Sequence, residues 1–321
     1  MNSVSLSRRA FCAGLGAAGA AMTTAPTAFA AMTGGGSPAV PDVIGELRRY
    51  KTRHEDTLID LARTYNLGFV ELVAANPGVD PWVPGEGTEI LLPTAHILPA
   101  GPRTGLLLNL VDMRLYYFPK GGAIESFAIG TGQEAWNTPL GGTTIVRKAA
   151  NPAWHVPKSI RKEKPELPAV VPPGPDNPLG KFALYLGWPS YLIHGTNKPE
   201  GVGRRVSHGC VRLYPEGIAS LFPRVAIGTK LTVVAQAAKV GRRAGELLLE
   251  VHPSLKQADQ IEEQDGKFTP ERISQIIDLV TIAAGTDADA IDWDTVHKAV
   301  AERRGVPVPV LKKNRAASAD L

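Results

Sequence analysis

The amino-acid sequence predicts a mainly β protein, with a small βααβ module before the main domain and a small α-rich domain after it. Thirty-three glycines and 27 prolines among 321 residues favour frequent turns and edge strands over a helical bundle. Short apolar runs bounded by turn residues fill the middle of the chain, at 104–236. Apolar residues at helical spacing occur instead at 47–95 and 245–310, which predicts a smaller domain on each side.

Residues 1–30 have the composition of an export signal. Arg8 and Arg9 form a twin-arginine pair, an apolar stretch rich in Ala and Gly follows, and Ala28 and Ala30 are small residues of the kind a signal peptidase requires. We therefore expect export to the periplasm, with an uncleaved amphipathic tail as the alternative. The stretch is too short and too weakly apolar to cross a bilayer, so no membrane span is expected once the signal is removed.

The formal net charge does not point to a nucleic-acid partner. The whole chain carries +4, and removal of Arg8 and Arg9 with the signal leaves +2. This excess is small, and no basic stripe interleaved with aromatic residues accompanies it, so the chain lacks the electrostatic signature of a DNA- or RNA-binding protein. Hydrophobic residues at 44% and charged residues at 21% are typical of a soluble globular protein.

A flexible linker rich in glycine, at 31–46, precedes the first small domain, at 47–95. The apolar pattern of this domain predicts a strand, two short helices and a closing strand. Its first helix would place Leu58 and Leu61 on one face, and the closing strand would lie at 89–93.

The middle of the chain, at 104–236, predicts strands with a single short helix at 218–222. A proline-rich passage at 153–179 shows little periodicity, and a passage of this length inside a domain is usually a lid or a binding loop. We expect it to close over the site. The predicted strands lie at 106–111, 114–118, 124–130, 143–146, 182–186, 191–194 and 231–234.

The last domain, at 245–310, predicts two helices. Thr269 would cap the first helix, with Pro270 as its first residue, and Gly285 would end it. Asp292 would cap the second helix. We expect this part of the chain to serve in packing or in binding a partner.

Cys210 is the candidate nucleophile. The chain has two cysteines, and Cys12 lies in the predicted signal, so the exported protein would hold Cys210 without an intramolecular disulfide partner. Histidines and glycines surround it, which favours thiolate chemistry over an inert buried thiol. A thiolate–imidazolium pair would make the sulfur reactive and sensitive to oxidation.

Two histidines compete as the base. His194 ends an apolar strand, which is a firm platform, whereas His208 lies two residues from Cys210 in an extended segment, about 6–7 Å away along the strand. We therefore expect His194 to be the base and His208 to shape the site. A core role for His194 remains the alternative.

The segment around Cys210 offers further groups. The backbone N–H groups of His208, Gly209 and Cys210 would converge on an oxyanion if Gly209 allows a sharp turn. Ser207 would hydrogen-bond within this loop, and Arg212 would lower the thiol pKa or bind a substrate carboxylate, unless it is an ordinary structural arginine. A zinc site of His194, His208 and Cys210 lacks a fourth ligand at a familiar spacing, so we expect no metal and no cofactor.

In residue types and spacing the sequence resembles the signature of the L,D-transpeptidase (YkuD) family at His194-Gly195-Thr196, at Gly203 and at Ser207-His208-Gly209-Cys210-Val211-Arg212. The likeness runs from about 43 to about 309 and is similar to the periplasmic ErfK/YbiS-like subgroup. The domain at 47–95 resembles a LysM module, a binder of glycans containing N-acetylglucosamine, at Asp56-Thr57-Leu58, Ala62, Tyr65, Leu72, Asn76-Pro77 and 90–93.

The resemblance implies a β-sandwich-like catalytic domain in which Cys210 is the nucleophile, His194 is the base and the carbonyl of Gly195 orients the imidazole. Beside these residues we expect Ser207, His208 and Gly209 to shape the oxyanion site, and Thr196, Gly203 and Arg212 to contact the substrate.

The family acts on peptidoglycan, so the resemblance implies that Cys210 forms a thioester at meso-diaminopimelate of a tetrapeptide stem and releases D-Ala. The acceptor would be another diaminopimelate or a lysine of an outer-membrane lipoprotein or outer-membrane protein. Carbapenems would acylate Cys210. A Cys/His endopeptidase or carboxypeptidase that uses water remains an alternative, as does a non-catalytic protein that binds the cell wall through its LysM-like module.

Overall fold

The computed structural model describes residues 41–133, 138–264, 266–273 and 275–312, all within one compact unit that begins at Val40. The predicted signal at 1–30 and most of the predicted linker lie outside the described residues. None of the helices in the described ranges has the length and apolar run that crossing a bilayer requires.

The first part of the chain has the predicted βααβ order. Thr57 caps the first helix, because its side chain accepts a hydrogen bond from the backbone N–H of Asp60 at 3.2 Å. Strands β2 and β3 pair antiparallel, and a short outer pair, β1 with β4, flanks them. The elements are β1 (Val43–Ile44), β2 (Arg48–Lys51), α1 (Leu58–Thr64), α2 (Phe69–Ala75), β3 (Glu89–Leu92) and β4 (His96–Ile97). We call 47–95 the N-terminal module.

The middle of the chain forms one sheet of nine strands, which confirms the predicted β-rich domain. The strands are β5 (Gly105–Asn109), β6 (Arg114–Phe118), β7 (Glu125–Gly132), β8 (Gly141–Ala150), β11 (Phe182–Leu186), β12 (Leu192–His194), β13 (Arg205–Ser207), β14 (Val211–Leu213) and β15 (Lys230–Val234). The sheet runs in the order β13-β7-β14-β12-β11-β8-β15-β5-β6, and β6 also pairs with β7, so the sheet closes on itself as a barrel-like ring. Helix α4 (Pro215–Leu221) matches the predicted short helix.

The proline-rich passage has secondary structure that its sequence pattern did not predict. It contains β9 (Trp154–His155), α3 (Lys158–Glu163) and β10 (Val170–Val171), and β9 pairs with β10. The buried side chain of Asn177 holds the end of the passage in place. Its amide donates hydrogen bonds to the carbonyls of Pro152 and Pro172 at 2.9 and 3.0 Å. Such side-chain ties between distant backbone segments leave no periodic signal in the sequence.

The last part of the chain has the two predicted helices, α6 (Ile276–Ala284) and α7 (Trp293–Glu302), and in addition a helix, α5 (Leu255–Glu263), and a sheet of three strands that were not predicted. The strands are β16 (Ala238–Arg243), β17 (Glu246–Val251) and β18 (Val308–Pro309), and the sheet runs in the order β16-β17-β18.

Two of the predicted helix boundaries are confirmed and one is wrong. Gly285 ends α6, and the Asp292 side chain caps α7 by accepting from the N–H of Thr295 at 3.3 Å. The predicted cap at Thr269 is wrong: α6 begins at Ile276, after Gln275 in the left-handed conformation with φ of 68°. The Thr269 N–H and carbonyl instead contact the side chains of Gln260 and Gln257 on α5, so tertiary contacts override the local capping signal.

One hydrophobic core extends through the barrel-like sheet, the N-terminal module and α5. Leu58 and Leu72 of the module belong to the same buried cluster as Ile193 and Val211 of the sheet and Ile261 of α5. The module therefore packs as an integral part of the unit that contains the barrel-like sheet, because separating the two would expose apolar surface on both sides.

Charged side chains are buried where the barrel-like sheet meets the C-terminal strands. The Lys239 Nζ lies 2.7 Å from both Asp112 and Glu250, and all three side chains are at most 1% exposed. Glu250 also contacts His252 at 2.6 Å. Burial is the largest influence and raises the pKa of Asp112 and Glu250, but the charge of Lys239, the neighbouring His252 and the side-chain hydrogen bonds together outweigh it, so both pKa values fall below their usual range.

Candidate active site

His194 is the last residue of β12 and is 4% exposed. Its Nδ1 lies 2.5 Å from the carbonyl oxygen of Gly195, the next residue in the chain. A carbonyl only accepts hydrogen bonds, so Nδ1 carries the proton and the neutral ring has its lone pair on Nε2. The backbone therefore selects the tautomer of this imidazole.

The imidazole of His194 is neutral at physiological pH. Burial lowers its pKa most, the nearby charge of Arg212 lowers it further, and the bond to Gly195 opposes them in part, so the pKa falls to about 4. A neutral histidine can accept a proton, which makes His194 competent as a general base across most of the pH range.

Parallel pairing of β12 with β14 brings the candidate groups together. Ile193 lies opposite Val211, and His194 lies opposite Arg212. Paired residues present their side chains on the same face of a sheet, as do residues two apart along a strand. Cys210 directly precedes β14, two residues before Arg212. Cys210, His194 and Arg212 therefore share one face of the sheet.

The thiol of Cys210 is half-buried and protonated. Its Sγ lies 3.6 Å from the Ser190 carbonyl, to which the thiol donates. Burial raises the thiol pKa, while the N–H of Leu192 and the charge of Arg212 lower it by less, so the net shift is upward. The structure therefore gives a protonated thiol that shares a face with a neutral imidazole, in place of the expected thiolate–imidazolium pair, and the expected sensitivity to oxidation stays a prediction.

A tight turn precedes Cys210. Gly209 has a φ of 94°, a conformation that favours glycine. The Ser207 hydroxyl donates to the Cys210 carbonyl at 2.6 Å, which closes the turn as the sequence analysis expected. The buried Thr138 hydroxyl donates to the Gly209 carbonyl at 2.9 Å, a contact that the sequence did not suggest.

The Thr138 bond also determines where the N–H of Cys210 points. The carbonyl of Gly209 and the N–H of Cys210 belong to one planar trans peptide, so they point in opposite directions. A donor that holds the carbonyl on one side therefore orients the N–H toward the other side. Orientation of this N–H is what an oxyanion donor requires.

His208 faces the proline-rich passage. Its Nε2 lies 3.1 Å from a carboxylate oxygen of Glu163, the last residue of α3. This contact joins the passage to the turn that carries Cys210, and it supports the expectation that His208 shapes the site. The structure thus places the passage beside the turn, although its own pattern predicted no helix there.

The other predicted contact residues differ in their surroundings. Arg212 is partly buried near Glu200, and burial lowers its pKa. Thr196 is buried and makes local bonds, because its hydroxyl donates to the Lys198 carbonyl at 3.2 Å and accepts from the Lys198 N–H at 2.9 Å. These contacts make Thr196 a residue that shapes the loop.

Gly203 approaches another backbone closely, but that backbone belongs to the N-terminal module. A Cβ at Gly203 would lie 2.1 Å from the Phe69 nitrogen. The predicted contact of Gly203 with substrate is therefore corrected to a contact with α2. Within the described ranges, no group of three His, Cys, Asp or Glu side chains is arranged to hold a metal ion.

Three site residues were missed by sequence reasoning: Ser190, Thr138 and Glu163. Ser190 has a φ of 69° after Trp188-Pro189, and a Pro-Ser pair between two predicted strands was the available signal of a turn. Thr138 and Glu163 lie far from Cys210 along the chain, and neither had a distinguishing pattern around it.

Comparison with known proteins identifies the family. Residues 103–234 match the YkuD family, described as the L,D-transpeptidase catalytic domain. Probable L,D-transpeptidase YcfS of Escherichia coli K12 is 37% identical over 284 residues, which cover 85% of this chain and 86% of the relative. Probable L,D-transpeptidase YbiS of the same strain is 38% identical over 254 residues, with 77% and 81% covered.

Solved structures are more distant. The NMR structure of the catalytic domain of the Enterococcus faecium L,D-transpeptidase, acylated by ertapenem, is 21% identical with a TM-score of 0.33, and the match covers 41% of this chain and 99% of that one. The family assignment therefore depends on the sequence identity to the Escherichia coli relatives and on how much of each chain is covered. The chain is an enzyme that belongs to the YkuD family of L,D-transpeptidases.

Proposed function

We propose that this enzyme transfers acyl groups of peptidoglycan, with Cys210 as the nucleophile and His194 as the general base. The observation that carries the proposal is the bond from the His194 Nδ1–H to the Gly195 carbonyl. That bond leaves a lone pair on Nε2 of a neutral ring, on the face of the sheet that Cys210 shares. An imidazole held in this way accepts the thiol proton without first forming an ion pair.

In the acylation step the Sγ of Cys210 attacks the carbonyl carbon of the donor amide, and the thiol proton passes to Nε2 of His194. The carbonyl oxygen becomes an anion that the N–H of Cys210 stabilises. The C–N bond then breaks, and Nε2 returns the proton to the leaving amine. A neutral amine departs and a thioester remains on Cys210.

In the transfer step an acceptor amine attacks the thioester carbonyl and Nε2 takes a proton from the amine. The C–S bond breaks, and the sulfur recovers a proton from Nε2. The new amide contains the donor acyl group, and the thiol and neutral imidazole are restored. Because the thioester conserves the energy of the donor amide, the reaction needs no nucleotide.

The proposed donor is a tetrapeptide stem, with meso-diaminopimelate as the acyl group and D-Ala as the leaving amine. The acceptor is the amine of another diaminopimelate, which gives a cross-link, or a lysine of an outer-membrane lipoprotein or outer-membrane protein, which gives a wall anchor. The charge of Arg212 supports a donor with a free carboxylate, since this side chain shares the face of Cys210.

The proposal extends to the predicted glycan contacts and location. The βααβ order of the N-terminal module supports a LysM-like binder of peptidoglycan glycan. The twin-arginine pair at Arg8 and Arg9, outside the described residues, supports export to the periplasm, where this polymer lies. Because the module shares a core with the barrel-like sheet, a glycan bound to it would be presented at a constant distance from Cys210.

Mass spectrometry tests the function. The purified protein is incubated with tetrapeptide muropeptides, and we expect cross-linked dimers or exchange of the terminal D-amino acid. Intact-mass analysis after exposure to a carbapenem should show one covalent adduct, located on Cys210. The Cys210→Ala variant should lose both the products and the adduct, whereas the control variant His208→Gln should keep the adduct.

Two results would contradict the proposal in different ways. Shortened stems without dimers or exchange would assign the enzyme to hydrolysis, with water as the acceptor. Products that persist in Cys210→Ala would exclude Cys210 as the nucleophile. The acceptor itself can be identified by analysis of the cell walls of a deletion strain.

A further inference from the structure

The loop that leads to Cys210 is bonded to the N-terminal module through its backbone. The Val202 carbonyl accepts from the N–H of Phe69 at 3.4 Å, and the Gly203 carbonyl accepts from the N–H of Val70 at 3.2 Å. These two N–H groups belong to the first turn of α2, where a helix has no internal acceptor for them. The loop therefore supplies hydrogen-bond partners that the helix itself lacks.

The two backbones touch without space for a side chain. Gly203 has a φ of 77°, and a Cβ on it would lie 2.2 Å from the Gly68 Cα. From the opposite side, a Cβ on Gly68 would lie 2.9 Å from the Gly203 Cα. Both distances are far below van der Waals contact, so glycine is required at Gly203 for conformation and for space.

The barrel-like sheet holds the other side of the same segment. The Gly203 N–H donates to the Ile129 carbonyl, and the Arg204 carbonyl accepts from the Thr131 N–H, both at 3.0 Å. A Cβ at Gly130 would lie 2.4 Å from the Gly201 oxygen. Residues 201–204, which we call the clamped segment, therefore lie between α2 and β7.

Side chains reinforce this arrangement. The Arg204 guanidinium stacks 3.9 Å above the ring of Phe69 and lies 3.3 Å from Glu262 on α5. The next residue, Arg205, donates to the Leu255 carbonyl at 3.1 Å and pairs with Asp259, both on α5. Three elements distant in sequence thus converge on the approach to Cys210.

The first turn of α2 is itself held in place. The Glu71 Oε2 accepts from the N–H of Gly68 at 2.9 Å and from the Arg114 Nη1 at 2.8 Å. Glu71 and Arg114 are both buried, and Arg114 lies on β6 of the barrel-like sheet. A buried charge pair with this geometry allows little movement of the turn relative to the sheet.

We propose that the N-terminal module is a positioning element of the active site, with Gly68 and Gly203 as its contact pair and Glu71 as its anchor. The module sets the place of the clamped segment, and the clamped segment continues through β13 into the turn that carries Cys210. This role is separate from glycan binding, and it rests on the proposed function of Cys210 as the nucleophile.

The physical basis is the steep dependence of catalysis on geometry. A displacement of about 1 Å at a reacting group can cost a factor of about 100 in rate. The clamped segment connects to Cys210 through one short strand and one turn. Because so few residues lie between them, a displacement of Gly203 should also displace Cys210. A small displacement at the contact with the module should therefore lower the rate of acylation.

The Gly68→Ser variant tests the inference. Gly68 is the N-cap of α2, a position at which serine is preferred, so serine should keep or raise the stability of the helix while its Cβ presses on Gly203. Gly203→Ala makes a more severe contact at the same place. The control is Gly78→Ala in the same module. Its φ of 85° imposes backbone strain like that at Gly203, a strain that Gly68 with its φ of −81° does not have, and its Cβ meets nothing within 4 Å.

The readout is the second-order rate of Cys210 acylation by a carbapenem, together with alkylation by iodoacetamide and the thermal midpoint. We expect Gly68→Ser to lower acylation by about tenfold and Gly203→Ala by about a hundredfold, relative to Gly78→Ala. Alkylation needs no oriented donor or base, so it should change by less than about threefold. A purely structural role would instead lower the thermal midpoint of Gly68→Ser together with its rate.

Acylation of Gly68→Ser at the rate of Gly78→Ala would overturn the inference. If Gly203→Ala does not fold, the acylation rate of Gly68→Ser is by itself the test of the inference. If a carbapenem does not acylate Cys210 in the wild type, both the proposed function and this inference are wrong. If the wild type is acylated and the variants are acylated at the rate of Gly78→Ala, only this inference is wrong.

Discussion

Arg212 lies directly opposite His194 across the parallel strands β14 and β12. Burial lowers the pKa of His194 most, and the fixed positive charge of Arg212 lowers it further, to about 4. Burial raises the pKa of the Cys210 thiol, and the same charge opposes that effect without reversing it. One arginine therefore adds to the neutrality of the imidazole and limits the cost of forming a thiolate.

The first prediction concerns the pH dependence of the two reactions of Cys210. Acylation by a carbapenem, with His194 as base, should keep its rate down to about pH 4, because the imidazole loses its lone pair only when protonated there. Alkylation by iodoacetamide requires the thiolate, so it should still be rising above pH 9.0, the ordinary pKa of a thiol. Stopped-flow or mass-spectrometric rates across this range measure both profiles.

The Arg212→Gln variant provides the comparison. Loss of the neighbouring charge raises the pKa of His194, so the acid limb of acylation should move to higher pH. It also raises the pKa of Cys210, so alkylation at any one pH should slow. Acid limbs that coincide in the two proteins would show that Arg212 does not act on this imidazole.

The second prediction separates His194 from Gly195. Gly195 acts through its backbone carbonyl, and a Cβ there would lie 3.1 Å from the side chain of Ile218, a tight contact that a small shift relieves. Gly195→Ala should therefore lower acylation by about tenfold or less. His194→Ala removes the base and should lower it by about 100-fold to 10,000-fold. Equal losses in the two variants would contradict the assignment of the base.

The third prediction is that Thr138 positions the N–H of Cys210. Thr138→Val keeps the shape but removes the donor to the Gly209 carbonyl, so we expect acylation to slow by about tenfold, less than the ~100-fold effect of removing an oxyanion donor. The free energy of unfolding should fall by about 1–3 kcal/mol, because the carbonyl is left unsatisfied. Thr138→Ser retains a hydroxyl and should recover most of both losses.

The fourth prediction concerns the proline-rich passage. Glu163 joins α3 to His208, two residues from Cys210, so Glu163→Ala should loosen the passage and admit water to the proposed thioester. We expect a severalfold higher ratio of hydrolysis to transfer, measured from the muropeptide products. Glu166→Ala, an exposed change in the same passage, is the matched control. A ratio that stays constant in Glu163→Ala would argue against a lid.

The fifth prediction concerns stability. Lys239→Met would leave Asp112 and Glu250 buried without their cation, and the free energy of unfolding at neutral pH should fall by about 3–5 kcal/mol. Lys298→Met, which removes an exposed pair with Glu302, should cost less than about 0.5 kcal/mol. Urea unfolding of both variants provides the measurement.

The pH dependence of this loss has a definite sign. In the wild type the pKa values of Asp112 and Glu250 are lowered, so their contribution is present above their unfolded values, near about 4, and is lost as the pH falls through the folded values. In Lys239→Met the two carboxyls instead favour protonation. The difference in the free energy of unfolding between Lys239→Met and the wild type should therefore become smaller at acid pH. A difference that becomes larger would contradict the stabilising role of Lys239 beside Asp112 and Glu250.

Much of the fold could be predicted from local patterns. The βααβ order of the module and the strands around Leu108 and Leu184 follow from periodicity and turn residues. The short strands beside Cys210 could not be predicted, because β13 and β14 have three residues each and their pairing partners β7 and β12 are distant in sequence. Thr269 shows the reverse case, where a good capping residue is used in a tertiary contact instead.

The sequence by itself determined the candidate groups for the chemistry. Cys210, His194, the tight turn at Gly209 and the internal bond of Ser207 follow from residue types and short spacings, because reactivity and turn geometry are local properties. Only the tertiary structure decided their protonation. Burial and the charge of Arg212 come from segments brought together by folding, and they make both groups neutral.

The tertiary structure also decided which distant residues hold the site in place. Thr138, Glu163 and Gly68 carry no sequence signal of a role near Cys210, since each acts through one contact that forms only when separate segments pack. The identity of a residue does not show which backbone carbonyl will accept a hydrogen bond or which glycine will pack against another backbone. A linear sequence therefore specifies the reactive groups directly, and their orientation only through the complete fold.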